Sequence, residues 1–182
     1  MAHQTDVVLL LILAIAATAF ANVVKPLTAA DFDKIVQESA GRRQAKSRCF
    51  GCCPFGWVFY GGSCFTYQAS SMDWISAEKY CLNLNAHLVS MRNENEYQLV
   101  KALIRAHDPQ EKPTWIGLSG CQKRNNWLWS DGTKLTFTKW NPTEPNFKNE
   151  ECCVLINFDG RKDWVDAPCE WTYHFVCATK PI

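Results

Sequence analysis

The sequence predicts an α+β domain in which two amphipathic helices are followed by many short strands. Between residues 70 and 107, apolar side chains recur at helical spacing. After Pro113 that spacing is lost, and short β-like segments alternate with turns and polar loops. Helices grouped before strands are typical of an α+β architecture. With 182 residues, 47% of them hydrophobic, the chain can form one domain with a sizeable core plus extensions.

The N-terminus indicates export. Residues 7–21 read VVLLLILAIAATAFA, an apolar run of signal-peptide length that is short for a membrane span. Ala19 and Ala21 give the small-x-small pattern of a cleavage site, so we predict a signal peptide over residues 1–21 and a secreted, extracellular protein. The segment before the run departs from the usual pattern, because it carries Asp6 and neither Lys nor Arg. No second apolar stretch of spanning length follows, so we expect no membrane anchor.

Composition excludes several function classes. The formal net charge is +1 and no run of like charges stands out, which argues against nucleic-acid partners and against electrostatic attachment to a membrane. None of the four histidines lies in a recognisable nucleophile or zinc motif, so we expect the chain not to be an enzyme. The ten cysteines agree with export and predict a disulfide framework, although their spacing does not fix the pairing.

Residues 22–48 contain neither cysteine nor tryptophan, and we interpret them as a linker or propeptide that precedes the domain. Within them, residues 28–39 predict a short helix. Its N-cap is Thr28, Asp31 follows three residues later, and an apolar stripe is formed by Leu27, Phe32, Ile35 and Val36. Basic residues then follow at 42–43, 46 and 48. Three interpretations stay open: a solvated linker, a propeptide removed at the basic residues, or a helix through which chains associate.

The first elements of the domain are a hairpin and two helices. Residues 57–60 and 63–67 predict two strands joined across Gly61 and Gly62. A helix begins after Ser70 or Ser71, with apolar positions at Trp74, Ala77, Cys81 and Leu84. A second helix begins at Asn93, with Glu96 three residues later, and has its apolar positions at Leu99, Val100, Leu103 and Ile104.

A long loop separates the short strands of the second half. The strands are predicted at residues 115–118, 127–129, 153–157, 163–165 and 175–178. Between the second and the third of them, residues 130–151 are polar, contain proline and are numerous for a loop. Long ordered loops on a rigid scaffold are where binding sites tend to lie, so this loop is the candidate site.

Four short passages occur in a characteristic order and spacing. They are WIGL at residues 115–118, WSDG at 129–132, EPN at 144–146 and WVD at 164–166, the last followed by Cys169 and Cys177. Together they resemble the C-type lectin-like domain over residues 53–178, and we place that domain at residues 49–180. The resemblance implies two helices, short antiparallel strands and a long calcium-binding loop. The cysteine pattern is similar to that of fish secreted lectins and type II antifreeze proteins, through Cys121, Cys152 and Cys153.

The resemblance also implies a disulfide pattern. It pairs Cys53 with Cys64, Cys81 with Cys177 and Cys153 with Cys169, and the fish members suggest Cys121 with Cys152. Cys49 and Cys52 are left over. A local bridge between them and bridges to a second chain, which would give a disulfide-linked homo-oligomer, both stay open. A redox or zinc role is disfavoured, because neither a βαβ pattern nor a second pair of ligands accompanies them.

By the same resemblance, the loop holds Ca²⁺ as its cofactor. Four side-chain ligand positions of the family's sugar-binding calcium site are matched by Glu144, Asn146, Glu151 and Asp166. They supply three carboxylates and one amide oxygen, which are hard ligands of the kind that Ca²⁺ prefers. Pro145 is expected to be cis, which turns its two neighbours toward one ion. An auxiliary calcium site of some members is expected to be absent, because its acidic positions fall on Gly120, Phe147 and Cys152.

Three of these side chains are also expected to bind sugar. In the family's complexes, each of two vicinal hydroxyls donates to a Glu and accepts from an Asn; here Glu144 and Asn146 serve one hydroxyl and Glu151 the other. Val165 replaces the Asn that is usual in the third motif, so the donor partner of Glu151 is missing. One lost hydrogen bond of about 1–3 kcal/mol corresponds to roughly 5- to 150-fold in affinity. The Glu-Pro-Asn motif favours mannose-type glycans, and galactose-type glycans stay open.

The sequence therefore predicts a secreted, calcium-dependent lectin that recognises microbial glycans in innate immunity. Phe147, within the loop, is predicted to contact the sugar, whereas Trp140 more often belongs to the core of this fold. One alternative is an ice-binding protein like the type II antifreeze proteins, although ice binding favours a weakly charged face and the loop carries Lys139, Lys148, Glu150 and Glu151. The other alternative is a protein-binding module without sugar binding, which the Val165 substitution favours.

Overall fold

The structure is a computed structural model that describes residues 26–41 and 53–181. The signal peptide predicted at residues 1–21, together with Cys49 and Cys52, lies outside these residues. Within the described residues the chain forms three α-helices: α1 (Ala29–Gly41), α2 (Trp74–Asn83) and α3 (Glu94–His107). The strands there are β1 (Val58–Tyr60), β2 (Ser63–Met72), β3 (His87–Leu88), β4 (Thr114–Ser119), β5 (Leu128–Trp129), β6 (Cys153–Ile156), β7 (Trp164–Ala167) and β8 (Tyr173–Thr179).

All eight strands belong to one mixed sheet. Its main path runs β1-β2-β8-β4-β6-β7, with β3 attached to β8 and β5 attached to β4. The expected antiparallel pairing holds except between β4 and β8, which are parallel with Thr114 opposite His174. The long loop leaves β5 and returns to β6, so it lies above the end of the sheet formed by β4, β6 and β7. This end of the sheet carries the candidate site.

The helix N-termini show where local signals predict structure and where they do not. Asn93 caps α3 as predicted, because its Oδ1 accepts the backbone N–H of Glu96 at 3.0 Å. The prediction that Ser70 or Ser71 caps α2 is wrong: β2 continues through both serines to Met72, and Asp73 accepts the N–H of Ser76 instead. The physical reason is pairing with β8, which places Met72 opposite Tyr173 and extends the strand.

Helix α1 is part of the folded domain over the described residues. Its capping box forms as predicted, with the Thr28 N–H and hydroxyl both donating to Asp31 at 2.7 Å. Phe32 is completely buried and Val36 is 3% exposed, both within the main apolar core. α1 lies against α3, where Arg105 contacts Asp33 at 2.7 Å. Residues 29–41 are therefore a docked helix rather than a solvated linker, and removal of a propeptide stays a prediction.

The apolar interior consists of two clusters. The main cluster packs α1 and α3 against one side of the sheet and includes the large rings of Phe65, Trp129 and Trp164. The second contains Trp115, Leu155, Val165 and the Cys81–Cys177 disulfide. In β7, successive side chains alternate between them, with Trp164 in the first and Val165 in the second.

Four disulfides lie within the described residues. They join Cys53 to Cys64, Cys81 to Cys177, Cys121 to Cys152 and Cys153 to Cys169, which are the pairings implied by the resemblance. The Cys81–Cys177 bridge joins α2 to β8 across 96 residues of sequence. In the part of the chain that the structure describes, no helix has the length and apolar character of a membrane span.

Candidate functional site

Asp166 anchors the long loop to the sheet. It lies in β7 and is only 4% exposed. Its two carboxylate oxygens accept the backbone N–H groups of Asn146 at 2.9 Å and Phe147 at 2.8 Å. Hydrogen bonds to an ionised acceptor are about twice as strong as neutral ones. One buried carboxylate thus fixes the backbone of the loop directly after the Glu-Pro-Asn motif.

The motif itself forms a tight turn. The Glu144–Pro145 bond is cis, as the resemblance implied. The side-chain amide of Asn146 donates to both oxygens of Glu144, at 2.9 and 2.8 Å. The Asn146 Oδ1 atom accepts the N–H of Lys148 at 2.8 Å, which leaves its second lone pair available. The structure therefore brings Glu144, Asn146 and Asp166 together, and their role as calcium ligands stays a prediction.

Glu151 enters the site from the other end of the loop. A short turn over Lys148–Glu150, in which Asn149 and Glu150 have a left-handed backbone, precedes it. The N–H of Glu151 donates to the carbonyl of Lys148 at 2.8 Å. Its Oε2 atom is buried, and no described residue donates a hydrogen bond to it. A buried carboxylate oxygen without a donor is costly, so this atom is suited to a ligand.

The electrostatics of the loop favour a cation. Burial raises the pKa of the Glu144 carboxyl, and the adjacent Asp166 carboxyl raises it further, although the Asn146 amide offsets part of this effect. Burial and Asp166 also raise the pKa of the Glu151 carboxyl. Among the described residues, no Lys, Arg or His forms an ion pair with any of these three carboxylates. A bound cation would relieve this repulsion.

The donor set fits Ca²⁺ in its chemistry. Oxygen atoms of Glu144, Asn146, Glu151 and Asp166 are available, with up to three negative charges and one unpartnered buried oxygen. The carboxylates form an open arrangement rather than a tight cluster. Among the described residues, one group of three or more His, Cys, Asp or Glu ligand atoms has all its atoms within 4.8 Å of one another. This group consists of the sulfurs of Cys121, Cys152, Cys153 and Cys169. Those sulfurs are already paired in disulfides.

The side chain of Val165 points away from the loop. Its side chain is 5% exposed and packs in the second apolar cluster with Leu155 and Trp115. The next residue, Asp166, faces the loop, and side chains that are adjacent along a strand point to opposite faces. Val165 therefore supplies no donor near Glu151.

An aromatic stack runs beside the loop. Trp140 packs on Trp164 and on Trp127, with ring centroids 5.8 and 4.9 Å apart, so its expected place in the core agrees with the structure. Trp127 in turn lies 5.5 Å from Phe147. Gly120 permits this packing, because a Cβ atom there would lie 3.0 Å from the Trp127 ring.

Arg124 is a site residue that sequence reasoning missed. Its guanidinium lies 4.8 Å from the centre of the Phe147 ring, a cation–π distance. The ring of Phe147 is therefore contacted by both Trp127 and Arg124, and its half-buried surface beside the motif is what remains for a sugar. No local signal marks Arg124, because the β4–β5 connection meets the loop only in the folded protein.

Two neighbouring disulfides close the base of the loop. The Sγ atoms of Cys121 and Cys152 lie 3.4 and 3.5 Å from the Sγ atom of Cys169, which is bonded to Cys153. Gly120 and Cys152 are further joined by a backbone hydrogen bond of 2.8 Å. This base includes Gly120 and Cys152, two positions at which the resemblance places the acidic residues of the auxiliary calcium site, and the absence of that site stays a prediction.

Comparisons with known proteins agree with this geometry. The lectin C-type domain family model matches residues 70–179. The lactose-binding lectin l-2 of Anguilla japonica is 37% identical over 139 residues, which cover 74% of this chain and 82% of that protein. The type-2 ice-structuring protein of Brachyopsis segaliensis is 32% identical over 161 residues, which cover 86% of this chain and 92% of that protein.

A solved structure is also similar to this chain. The crystal structure of a calcium-independent type II antifreeze protein matches with a TM-score of 0.67 at 32% identity, over 75% of this chain and 100% of that one. The similar proteins are lectins and ice-structuring proteins, so the expectation that this chain is not an enzyme is confirmed. The four sequence motifs, the fold and the family match agree, and the chain belongs to the C-type lectin domain family.

Proposed function

We propose that this chain is a secreted lectin that binds glycans through a calcium ion held in the loop. The observation that carries the proposal is the arrangement around Asp166, which accepts two loop amides and adds to burial in raising the pKa of the Glu144 and Glu151 carboxyls, while one Glu151 oxygen is buried without a donor among the described residues. Buried polar atoms usually have a partner, and a cation bound in the loop would supply one to this oxygen.

Each residue has a distinct role in this proposal. Ca²⁺ would be held by oxygens of Glu144, Asn146, Glu151 and Asp166, and when bound it supplies open coordination positions for two sugar hydroxyls. Asp166 additionally positions the loop through its two backbone hydrogen bonds. Glu144 accepts from one sugar hydroxyl while Asn146 donates to it. Glu151 accepts from the second hydroxyl, for which the buried Val165 leaves no donor.

This arrangement favours mannose-type glycans but binds a single sugar weakly. The eel relative is named for lactose, so galactose-type ligands belong in the same test. Weak single sites suit a protein that recognises dense microbial glycans in innate immunity, because several linked sites raise the overall avidity. Bridges between chains through Cys49 or Cys52 would supply such linkage, and non-reducing gels of the C49S and C52S variants test it.

Export is part of the proposal. Disulfides persist in oxidising compartments and are rare in the cytosol. The four disulfides of the domain and the apolar run at residues 7–21 both support secretion. Expression in cultured eukaryotic cells tests it directly: the protein should accumulate in the medium and begin after Ala21, and retention in the cell would contradict it.

Affinity chromatography tests the lectin function. The protein should be retained on immobilised mannose with millimolar calcium and elute with EDTA. The Glu144→Gln variant should pass through, because it loses a calcium ligand. Glu150→Gln is the matched control, since Glu150 is an exposed residue of the same loop that is not among the predicted ligands. No calcium-dependent retention on mannose, on galactose or on any glycan of an array would contradict the proposal.

Ice binding is the second candidate. The similarity to a type-2 ice-structuring protein and to a type II antifreeze structure favours it. Against it, the loop exposes the charged residues Lys148 and Glu150, with Glu151 beside them. Thermal hysteresis of a concentrated sample decides the matter: we expect none, and a clear freezing-point gap would favour ice binding.

A further inference from the structure

A cavity adjoins the proposed calcium loop. It has a volume of about 260 Å³ and is lined by Gly120, Cys121, Arg124, Phe147, Glu150, Glu151 and Cys152. Ligand pockets for drug-sized molecules span roughly 300–1,000 Å³, so this smaller cavity suits one sugar substituent. Glu151 lines it and also belongs to the calcium loop, so a ligand bound there reaches both.

Arg124 is the cation of this cavity. Its side chain forms no ion pair with a carboxylate among the described residues, and its guanidinium lies 4.8 Å from the centre of the Phe147 ring. Because Trp127 supports that ring from another direction, the guanidinium lies at the end of a packed aromatic stack. An arginine held in this way has lost part of its conformational freedom before any ligand arrives, which favours binding.

A disulfide sets the spacing between Arg124 and the calcium ligands. Cys121 lies three residues before Arg124, and Cys152 directly follows Glu151. The Cys121–Cys152 bridge therefore joins the arginine loop to the end of the calcium loop. On the other side, Phe147 joins them through Asn146, its neighbour in the chain. The two sites are thus held together by a disulfide on one side of the cavity and by the cation–π contact between Arg124 and Phe147 on the other.

We propose that this cavity binds the anionic substituent of an acidic sugar, a carboxylate or a sulfate, whose ring hydroxyls bind at the calcium loop. The proposal rests on the function proposed above and names its ligand class. Arg124 donates to the anion in the two-pronged geometry that guanidinium groups form with carboxylates and sulfates. Glu151 does not repel the anion once its own negative charge is neutralised in part by the bound Ca²⁺. Glu150, at the rim of the cavity, repels the anion and so reduces the affinity gained from Arg124.

Competition with three matched sugars tests the proposal on the full chain in millimolar calcium. Methyl α-mannoside, its 6-sulfate and the corresponding methyl mannuronate share the ring hydroxyls and differ at the sixth carbon. Each competes for binding to immobilised mannose, and a parallel series based on galactose covers that ligand class. We expect one or both anionic sugars to inhibit at roughly three- to tenfold lower concentration than the neutral one. The two anionic arms distinguish a carboxylate ligand from a sulfate ligand.

Variants separate Arg124 from general charge effects. Arg124→Gln should abolish the advantage of the anionic sugars, measured within the variant as the ratio of the inhibiting concentrations of neutral and anionic sugar. Arg124→Lys should restore part of the advantage, because it keeps the charge and loses the two-pronged geometry. Lys123→Gln is the matched control, since it removes a neighbouring charge that does not line the cavity. Glu150→Gln should increase the advantage.

The outcomes distinguish this inference from the proposed function. Calcium-dependent binding of neutral sugars with no advantage for the anionic ones overturns the inference and leaves the lectin function intact. The inference is also overturned, and the lectin function left intact, if the Arg124→Gln and Lys123→Gln variants lose the preference for anionic sugars to the same extent. Absence of binding for every sugar overturns both proposals.

Discussion

The helical half of the domain and the calcium loop are held by different forces. The helical half, meaning α1, α3 and the β1–β2 hairpin, packs completely buried side chains such as Phe32, Leu99 and Ile104. In the calcium loop, residues 142–152, every residue is half-buried or exposed. It is held by the two hydrogen bonds to Asp166, by the turn around Glu144 and by the Cys121–Cys152 bridge.

The backbone of the calcium loop is also unusual. In the loop, four residues other than glycine have a left-handed backbone: Thr143, Phe147, Asn149 and Glu150, with φ between 48° and 74°. Such conformations are uncommon outside glycine and cluster at functional sites. In this domain, apolar burial and disulfides supply most of the stability, and polar contacts shape the loop. Changes in the helical half should therefore affect folding, and changes in the loop should affect ligand binding.

Removing the Cys81–Cys177 bridge should have the largest effect on stability. The bridge closes 96 residues, for which the chain-entropy model gives about 4–5 kcal/mol. The Cys81→Ser, Cys177→Ser double variant should lose about that much free energy of unfolding in urea titrations. Calcium affinity well below the melting temperature should stay within about twofold. A large loss of calcium affinity in the folded variant would show that the calcium loop is coupled to the α2–β8 connection.

Truncating Phe32 tests whether α1 belongs to the fold. The side chain is completely buried, so Phe32→Ala should cost about 3–5 kcal/mol of unfolding free energy. Leu27→Ala is the control, because that side chain is 43% exposed and should cost much less. The two variants are compared by thermal unfolding. Equal melting temperatures would mean that α1 is dispensable, as a propeptide would be.

Neutralising Asp166 should affect the loop more than the fold. In Asp166→Asn, one acceptor oxygen is replaced by an NH₂ group that faces a backbone donor, so the loop loses an anchor and the ion loses a charge. We expect a cost of about 1.5–3 kcal/mol in unfolding free energy and a calcium affinity lowered by more than about tenfold. Asp159→Asn is the control, because Asp159 also accepts backbone N–H groups but lies in another, exposed loop. Similar calcium affinities for both variants would contradict the role of Asp166.

Restoring asparagine at position 165 gives the smallest and most discriminating effect. Because Val165 packs in the second apolar cluster, Val165→Asn should bury an amide and lower the unfolding free energy by about 1–3 kcal/mol. The family motif alone predicts a different effect: the new asparagine would supply the missing hydrogen-bond donor, and sugar binding would become tighter. Sugar competition and urea unfolding on the same variant separate the two. Tighter binding without loss of stability would show that residue 165 reaches the sugar.

Local signals in the sequence predicted much of the fold. The Asn93 cap, the Gly61–Gly62 hairpin and the apolar stripe of α1 depend on residues within a few positions of one another. The cap and the hairpin are confirmed. The stripe is confirmed at Phe32, Ile35 and Val36, whereas Leu27 is exposed. The serine cap of α2 failed because β2 is extended by pairing with β8, about a hundred residues away in sequence. The two-residue strand β3 is likewise defined by its partner β8 rather than by its own sequence.

The candidate site was predictable only in part. The resemblance indicated Glu144, Asn146 and Asp166, and the structure brings them together. The burial of Val165 was not predictable, because its side-chain direction depends on the register of β7 against β6. Arg124 was missed because its contact with Phe147 joins loops that are distant in sequence and meet across a disulfide.

Calcium titration of the metal-free protein tests the central claim most directly. After EDTA treatment and dialysis, isothermal calorimetry of the full chain should show one saturable site, with a dissociation constant of roughly 0.1–1 mM as in extracellular calcium modules. Glu144→Gln and Glu151→Gln should each abolish it, and Glu150→Gln should leave it unchanged. Absence of saturable binding up to about 10 mM calcium, or binding that survives both ligand substitutions, would contradict the assignment of the loop as a calcium site.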